Sequence, residues 1–328
     1  MEIKIIKPGL LSTVQDLGRR GYLSQAVPVS GGMDTLSARI ANIVIGNDDQ
    51  AAVIEFTYAD AEFKAEADLL IAYAGDGTVL MAGDQILPAE RPLFIPQGKN
   101  IRLHNNPQGS RTYLAVAGGF DVPEVLGSKS TFVTAAFGGL DGRALKAGDV
   151  LPSAKPSAGA QKLLDKLAGD EINYTRWSAP RSLLLPGDRK NIRVVPAHEF
   201  NWFDSKAIVD FLSAPFKIGK QSNRMGYHLE GAALSRLRKD ELLSTAVMPG
   251  TIQVTGSGSM ILLMADCQTT GGYPRIAQVA AVDLPLCAQL KPGDTIYFKE
   301  ITRDEAEMLY LEREQQLRQL RMAVQYKF

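Results

Sequence analysis

The sequence predicts a mainly β protein made of two β units, a few short helices and one long C-terminal amphipathic helix. Three observations carry this reading. Thirty glycines and seventeen prolines punctuate the chain, and the short segments between them are rich in Val, Ile, Leu and Thr. Helical periodicity is confined to a few windows. A chain of 328 residues is also long for one core, so two compact domains are the default.

Strands are expected at 1–8, 69–74, 78–82, 100–103, 112–116, 191–195, 251–254, 260–264 and 295–298. A helix is expected over 34–44, where Leu36, Ile40 and Val44 recur four residues apart and Asp34 is placed to cap the start. The windows 201–212 and 276–290 hold shorter helical candidates. Thr302-Arg303-Asp304-Glu305 reads as a capping box opening the last helix, whose apolar side carries Ala306, Tyr310, Leu317, Leu320 and Val324. That side either lies on the protein's own β unit or offers a handle to a partner chain. The small-residue stretch 153–160 reads as a linker, giving an N-terminal domain 1–152, a linker 153–180 and a C-terminal domain 181–328. Gly148-Asp149 and Gly293-Asp294 sit in similar phrases at tight turns entering strands, a weak sign that the two units are related.

Composition narrows the function classes. Lys plus Arg and Asp plus Glu both number 36, so no charge bias favours nucleic acid or anionic lipid. The N-terminus lacks the apolar centre of a signal peptide, and runs such as 260–265 are too short to span a bilayer. The two cysteines, Cys267 and Cys287, make neither a disulfide framework nor a thiolate metal site, which points to a cytoplasmic setting. No metal site is expected, and the phosphate-loop, nucleophile-elbow and zinc-protease motifs are absent. His104, His198 and His228 are far apart and read first as structural or surface residues.

Three glycine-rich polar loops remain as candidates for chemistry. In 268–275, Thr269, Thr270, Gly271, Gly272 and Tyr273 follow a buried strand; they form either a nest of amides for a carboxylate, carbonyl or phosphate oxygen, or a wide glycine turn capping a following helix. Arg275 directly after the loop adds charge. In 220–227, Lys220 and Arg224 suit anionic oxygens and Ser222 and Asn223 suit neutral partners. The bland alternative is a solvated connector with Arg224 paired to Asp240 or Glu241. In 12–22, leading into 29–34, the polar groups are Gln15, Asp16 and Arg19, which either work on a ligand or knit a loop to the rim. Cys267 reads as a packing residue, and Asp266 as an acid or base only if the fold encloses it.

Taken in order, 9–22, 27–34, 41–47, 115–123, 126–131, 138–143, 222–227, 250–254 and 269–274 resemble one family over roughly residues 3 to 300. It comprises the C subunit of 5-oxoprolinase, the kinase-inhibitor antagonist proteins and the carboxyltransferase domain of urea amidolyase, also grouped as the allophanate hydrolase subunit 2 family. The resemblance implies two cyclophilin-like β-barrel domains. It implies ATP, with Mg2+, as a substrate in converting 5-oxo-L-proline to L-glutamate, alongside a companion subunit of the kinase-inhibitor type and a third oxoprolinase subunit. Biotin enters only if the reaction is instead carboxylation of urea or a related amide, and a non-enzymatic antagonist of a kinase inhibitor is the further alternative. On the oxoprolinase reading, Arg224, Lys220 and Thr270 are the expected catalytic groups. Gln15, Ser222, Asn223, Thr269, Gly271, Gly272 and Tyr273 are the expected substrate contacts.

Overall fold

The computed structural model describes residues 1–58, 60–238 and 242–328. The chain divides into two compact units, the first formed by 1–19, 30–185 and 315–328 and the second by 20–29 and 186–314. The division therefore falls after Leu185 and corrects the expected linker at 153–180. Ser157 caps the helix Ala158–Leu167 through its side chain, and Ala160 and Leu163 of that helix are buried. Small residues there serve capping and close packing rather than flexibility.

The first unit holds strands β1 (Glu2–Pro8), β2 (Leu11–Gln15), β3 (Val53–Thr57), β4 (Ala61–Ala65), β5 (Leu69–Gly75), β6 (Thr78–Ala82), β7 (Gln85–Leu87), β8 (Leu93–Ile95), β9 (Asn100–Asn105), β10 (Arg111–Val116), β11 (Val150–Pro152) and β12 (Asn173–Tyr174). Its helices are α1 (Thr35–Val44) and α2 (Ala158–Leu167). The strands form two six-stranded sheets, ordered β11-β1-β4-β9-β6-β7 and β12-β8-β5-β10-β3-β2. Strand alternation makes the second sheet two-faced. Leu69, Ile71, Tyr73, Leu114 and Val116 turn into a core shared with Ile3, Ile5, Phe63 and Leu103 of the first sheet. Leu70, Ala72, Ala74, Tyr113 and Ala115 turn the other way, onto Leu36, Ile40 and Val44 of α1 and Leu163 of α2. Asp34 caps α1 as its position implied, accepting from the Ser37 amide at 2.9 Å.

The second unit holds β13 (Asn191–Pro196), α3 (Ser205–Ser213), β14 (Phe216–Ile218), β15 (Gly226–Glu230), β16 (Thr245–Ala246), β17 (Thr251–Val254), β18 (Met260–Leu263), β19 (Thr270–Gly271), β20 (Arg275–Val279), α4 (Leu284–Gln289), β21 (Thr295–Glu300) and the start of α5 (Arg303–Gln325). Seven strands close into a barrel in the order β13-β20-β17-β18-β15-β14-β21. Closure leaves no sheet edge. Phe211 of α3 stacks on Phe298 at 4.7 Å between ring centroids. The capping box of α5 forms as read: Glu305 accepts from the Thr302 amide at 2.7 Å, and the Glu305 amide donates to the Thr302 hydroxyl at 3.2 Å. Leu317 and Val324, near its end, are buried in the first unit.

The Gly-Asp echo marks a real correspondence. In Lys146–Asp149 the Asp149 carboxylate accepts from the Lys146 amide at 2.7 Å, and in Lys291–Asp294 the Asp294 carboxylate accepts from the Lys291 amide at 3.0 Å. Gly148 has φ +92° and Gly293 φ +96°, a left-handed conformation that costs glycine little. Each of these two amides donates at 2.8 Å to a strand isoleucine, Ile5 in one unit and Ile218 in the other. Those isoleucine amides in turn donate to Asp149 at 2.8 Å and Asp294 at 2.9 Å. The antiparallel run β11-β1-β4-β9-β6 thus repeats as β21-β14-β15-β18-β17, with the strands in the same chain order.

Candidate functional site

Two of the three loops lie in the second unit. The chain leaving β14 runs through 219–225 into β15, and the chain leaving β18 runs through 264–269 into β19. The Met264 amide donates to the Met225 carbonyl at 3.0 Å, and the Asp266 amide to the Arg224 carbonyl at 2.9 Å. Over this backbone clasp Arg224 Nε meets Asp266 Oδ2 at 2.7 Å and Arg224 Nη2 meets Asp266 Oδ1 at 3.1 Å. Both side chains are 7% exposed. Arg224 therefore spends its fork on a buried carboxylate, which corrects the expectation of a guanidinium open to ligand anions. Asp240 and Glu241, the partners considered from sequence, lie outside the described residues.

Lys220 and Asn223 are exposed. Asn223 Oδ1 accepts from the Met225 amide at 2.7 Å, so its carbonyl shapes its own turn and its amide nitrogen stays available. The Ser222 hydroxyl is buried with no hydrogen-bond partner among the described residues. A buried hydroxyl in that state costs free energy unless a ligand or water satisfies it.

The 268–275 segment is not a nest. Thr270 and Gly271 form β19, paired with Thr245 and Ala246 of β16. Neither Gly271 nor Gly272 has a positive φ, whereas a nest needs left-handed residues between right-handed ones. Nor does a helix follow; β20 does. Gly271 is needed for space, because a Cβ there would collide with the Gln253 amide nitrogen. Gln253, 1% exposed, donates to the Tyr273 carbonyl at 3.3 Å and accepts from Gln268 Nε2 at 3.3 Å. Thr269 is buried, while Thr270 and Tyr273 are exposed.

Arg275 closes the loop on Glu199, with Nε to Oε2 and Nη2 to Oε1 both 2.7 Å. Burial opposes ionisation of Glu199, but the hydrogen bonds and charge of Arg275 outweigh it and hold the carboxyl below its ordinary range. Cys267 packs with Val247 and Leu263. Burial, followed by the Asp266 charge, pushes its thiol up to about 12, so it is a packing residue and no nucleophile.

The part of the third loop up to Arg19 lies in the first unit. Asp16 is a hub: its carboxylate accepts from the Gly18 amide at 2.8 Å, the Ser128 hydroxyl at 2.6 Å, the Ser130 hydroxyl at 2.5 Å and the Lys129 amide at 2.6 Å. Arg19 is fully buried, bonded to the Val125 and Ser130 carbonyls, with its guanidinium 4.6 Å from the Phe137 ring centre. Both residues knit the loop. Gln15 is also fully buried; its amide donates to Thr13 at 2.9 Å and the Thr131 carbonyl at 3.2 Å, and its carbonyl oxygen has no partner among the described residues. Asp16, Gly18, Gly119, Glu124, Gly127 and Lys129 line a cleft of about 370 Å³. The phrases 9–22, 115–123 and 126–131 thus converge on one place. Glu124 and Lys129 were not singled out from sequence, although both lie in or beside those phrases.

Among the described residues, no cluster of three or more His, Cys, Asp and Glu stands ready to hold a metal ion. None of the helices described is long and apolar enough to cross a membrane.

The comparisons with known proteins agree with this architecture. The family model for the carboxyltransferase domain, subdomains A and B, matches residues 25–300. The chain belongs to that family. Among its relatives in the carboxyltransferase A and B family, the 5-oxoprolinase C subunit of Escherichia coli (strain K12) is 38% identical over 93% of both chains. The urea amidolyase of Lachancea kluyveri is 31% identical over 93% of this chain but only 17% of its own length. In the solved K. lactis urea amidolyase, the match covers 97% of this chain and 20% of that one, with a TM-score of 0.86 and 30% identity.

Proposed function

We propose that this chain is a subunit of an ATP-dependent 5-oxoprolinase, which converts 5-oxo-L-proline, ATP and water to L-glutamate, ADP and phosphate. The observation that carries the reading is end-to-end correspondence. The two 5-oxoprolinase C subunits match over 93% and 96% of their own lengths, whereas the urea amidolyases match over 17%. The enzyme works in the cytoplasm with two companions, one of the kinase-inhibitor type and a third oxoprolinase subunit. Two buried free thiols fit that compartment.

The chemistry needs a lactam recognised by neutral groups and a developing anion stabilised by cations. Ser222 and the Asn223 amide nitrogen supply neutral groups, as do Thr270 and Tyr273, both exposed in the 268–275 segment. Lys220 is the cation at hand. Arg224, held by Asp266, positions the 220–227 loop rather than touching substrate.

The test is reconstitution: this chain and its two companion subunits with Mg-ATP and 5-oxoproline, scored for glutamate. Full activity in a mixture lacking this chain sinks the reading. The match to the carboxyltransferase family and the TM-score of 0.86 favour one second reading, biotin-dependent carboxylation of urea or a related amide. It calls for a biotinylated partner and activity abolished by avidin.

A further inference from the structure

A cleft of about 640 Å³ in the second unit lies where β14, β15 and the start of β18 meet the Gly293 turn. It includes one expected functional residue, Lys220, and three residues no loop motif pointed to: Lys217, His228 and Glu230. Lys217, Lys220 and His228 are exposed and make no ion pair or side-chain hydrogen bond among the described residues.

The internal correspondence shows what changed here relative to the first unit. Because Ile218 matches Ile5, Lys217 matches Lys4; beyond that point the register of the first unit shifts at Ile6, so Gly219, whose amide donates to the His228 carbonyl at 2.8 Å, takes the place that Lys7 has opposite Glu62. Across the ladder, Phe63 faces Ile5 and Leu229 faces Ile218, so Glu62 corresponds to His228, Lys64 to Glu230 and Asp60 to Gly226. In the first unit Lys7 is paired with Asp60 at 2.5 Å and stands opposite Glu62. In the second unit those two acids are a glycine and a histidine, so this stretch of the ladder carries neither carboxylate. Gly219 brings no side chain to the place that Lys7 fills in the first unit, which opens the wall. A Cβ at Gly219 would lie 3.0 Å from Glu230 Oε1 and 3.2 Å from the His228 carbonyl oxygen. The one change in the opposite sense, Lys64 to Glu230, puts an acid across from Lys217.

We propose that this cleft binds the phosphate chain of a nucleotide, with Lys220 and Lys217 as its cationic contacts and the His228 imidazole as a further hydrogen-bonding contact. Lysine ammonium groups serve phosphate as point charges without the planar match a carboxylate fork requires. The cleft falls in the range that encloses nucleotide-sized ligands, and a lone five-membered lactam fills only a small part of it. Ala232, Ala233 and Pro292 border it with apolar surface for a base or sugar. This assignment deepens the oxoprolinase reading, on which it rests for the choice of ATP.

The test is titration of the full chain with ATP, with and without Mg2+, followed by competition with inorganic pyrophosphate and with glutamate. One saturable ATP site is expected, displaced by pyrophosphate and not by glutamate. Lys220→Ala and His228→Glu, the latter restoring the first unit's residue, each weaken it at least tenfold, and Lys217→Ala at least threefold. All three residues are exposed, and unchanged thermal midpoints verify that the variants fold. Absence of saturable ATP binding, affinity within twofold of wild type in all three variants, or displacement by glutamate but not pyrophosphate overturns the site. Glutamate formation by the reconstituted assembly is scored separately. If that activity stands while cleft binding fails, the site alone is wrong. An assembly that works without this chain overturns the functional reading and leaves the binding result standing.

Discussion

Breaking the Arg224–Asp266 pair tests whether that arginine holds the loops together. Two side chains, each 7% exposed, meet through bonds of 2.7 and 3.1 Å. With charge centres about 4 Å apart, attraction at an effective dielectric of about 20 is ~4 kcal/mol. Removing one member of such a pair also leaves the other charge buried, at a cost of about 3–5 kcal/mol. Asp266→Leu and Arg224→Met are each expected to lower unfolding free energy by about 3 kcal/mol. The double variant Arg224→Met/Asp266→Leu should lose far less than the sum, with a coupling of at least ~2 kcal/mol. Urea unfolding of the four proteins measures this directly. Additive losses, with a coupling below ~0.5 kcal/mol, refute the claim that the two loops are clasped by this pair.

Three further outcomes follow from neighbouring contacts. The Glu199 carboxyl is held below the ordinary Glu range of about 4.3, so its contribution is present above that pH and is lost as pH falls through the depressed folded value; the stability gap between wild type and Glu199→Gln should shrink from pH 7 to pH 4, and a constant gap contradicts it. Gly271→Ala drives a methyl into the Gln253 amide and should cost about 1–3 kcal/mol, whereas Gly272→Ala, whose new Cβ would lie 3.1 Å from the Leu242 carbonyl oxygen, should cost clearly less on thermal unfolding. Cys267, with its thiol raised to about 12, should resist iodoacetamide at pH 8 in the folded protein and react after denaturation; rapid native labelling would show the pocket to be open.

Much of the fold was legible because local rules and tertiary packing agree. The expected strands at 69–74, 112–116 and 251–254 all form, and the Thr302–Glu305 box caps α5 with the reciprocal bonds its spacing implies. The linker misreading has a physical source. Ser, Ala and Gly make a flexible connector, yet they are also what a cap and a tight contact require: Ser157 caps α2, and a Cβ on Gly159 would lie 3.1 Å from Phe328. Sequence cannot separate the two uses without knowing what lies opposite.

The site was legible in part. Loops 220–227 and 268–275 stand out in the sequence, and the fold clasps the first to the segment that leads into the second. The carboxylate for Arg224 lies 42 residues away, at Asp266, because β15 pairs with β18; no local spacing encodes that. The nest expected at 269–272 fails because a short strand, β16, recruits Thr270 and Gly271 into a ladder. Asp16 and Arg19, polar residues in a glycine-rich loop, carry no sequence mark separating a ligand contact from a buried knot. Only their partners in 125–130 decide it.

The measurement that bears most directly on the central claim is product stoichiometry in the assembly reconstituted with and without this chain. The account predicts one ADP per glutamate formed, activity strictly dependent on this chain, and no effect of avidin. Glutamate release undiminished when the chain is omitted, or turnover that avidin abolishes, would contradict it.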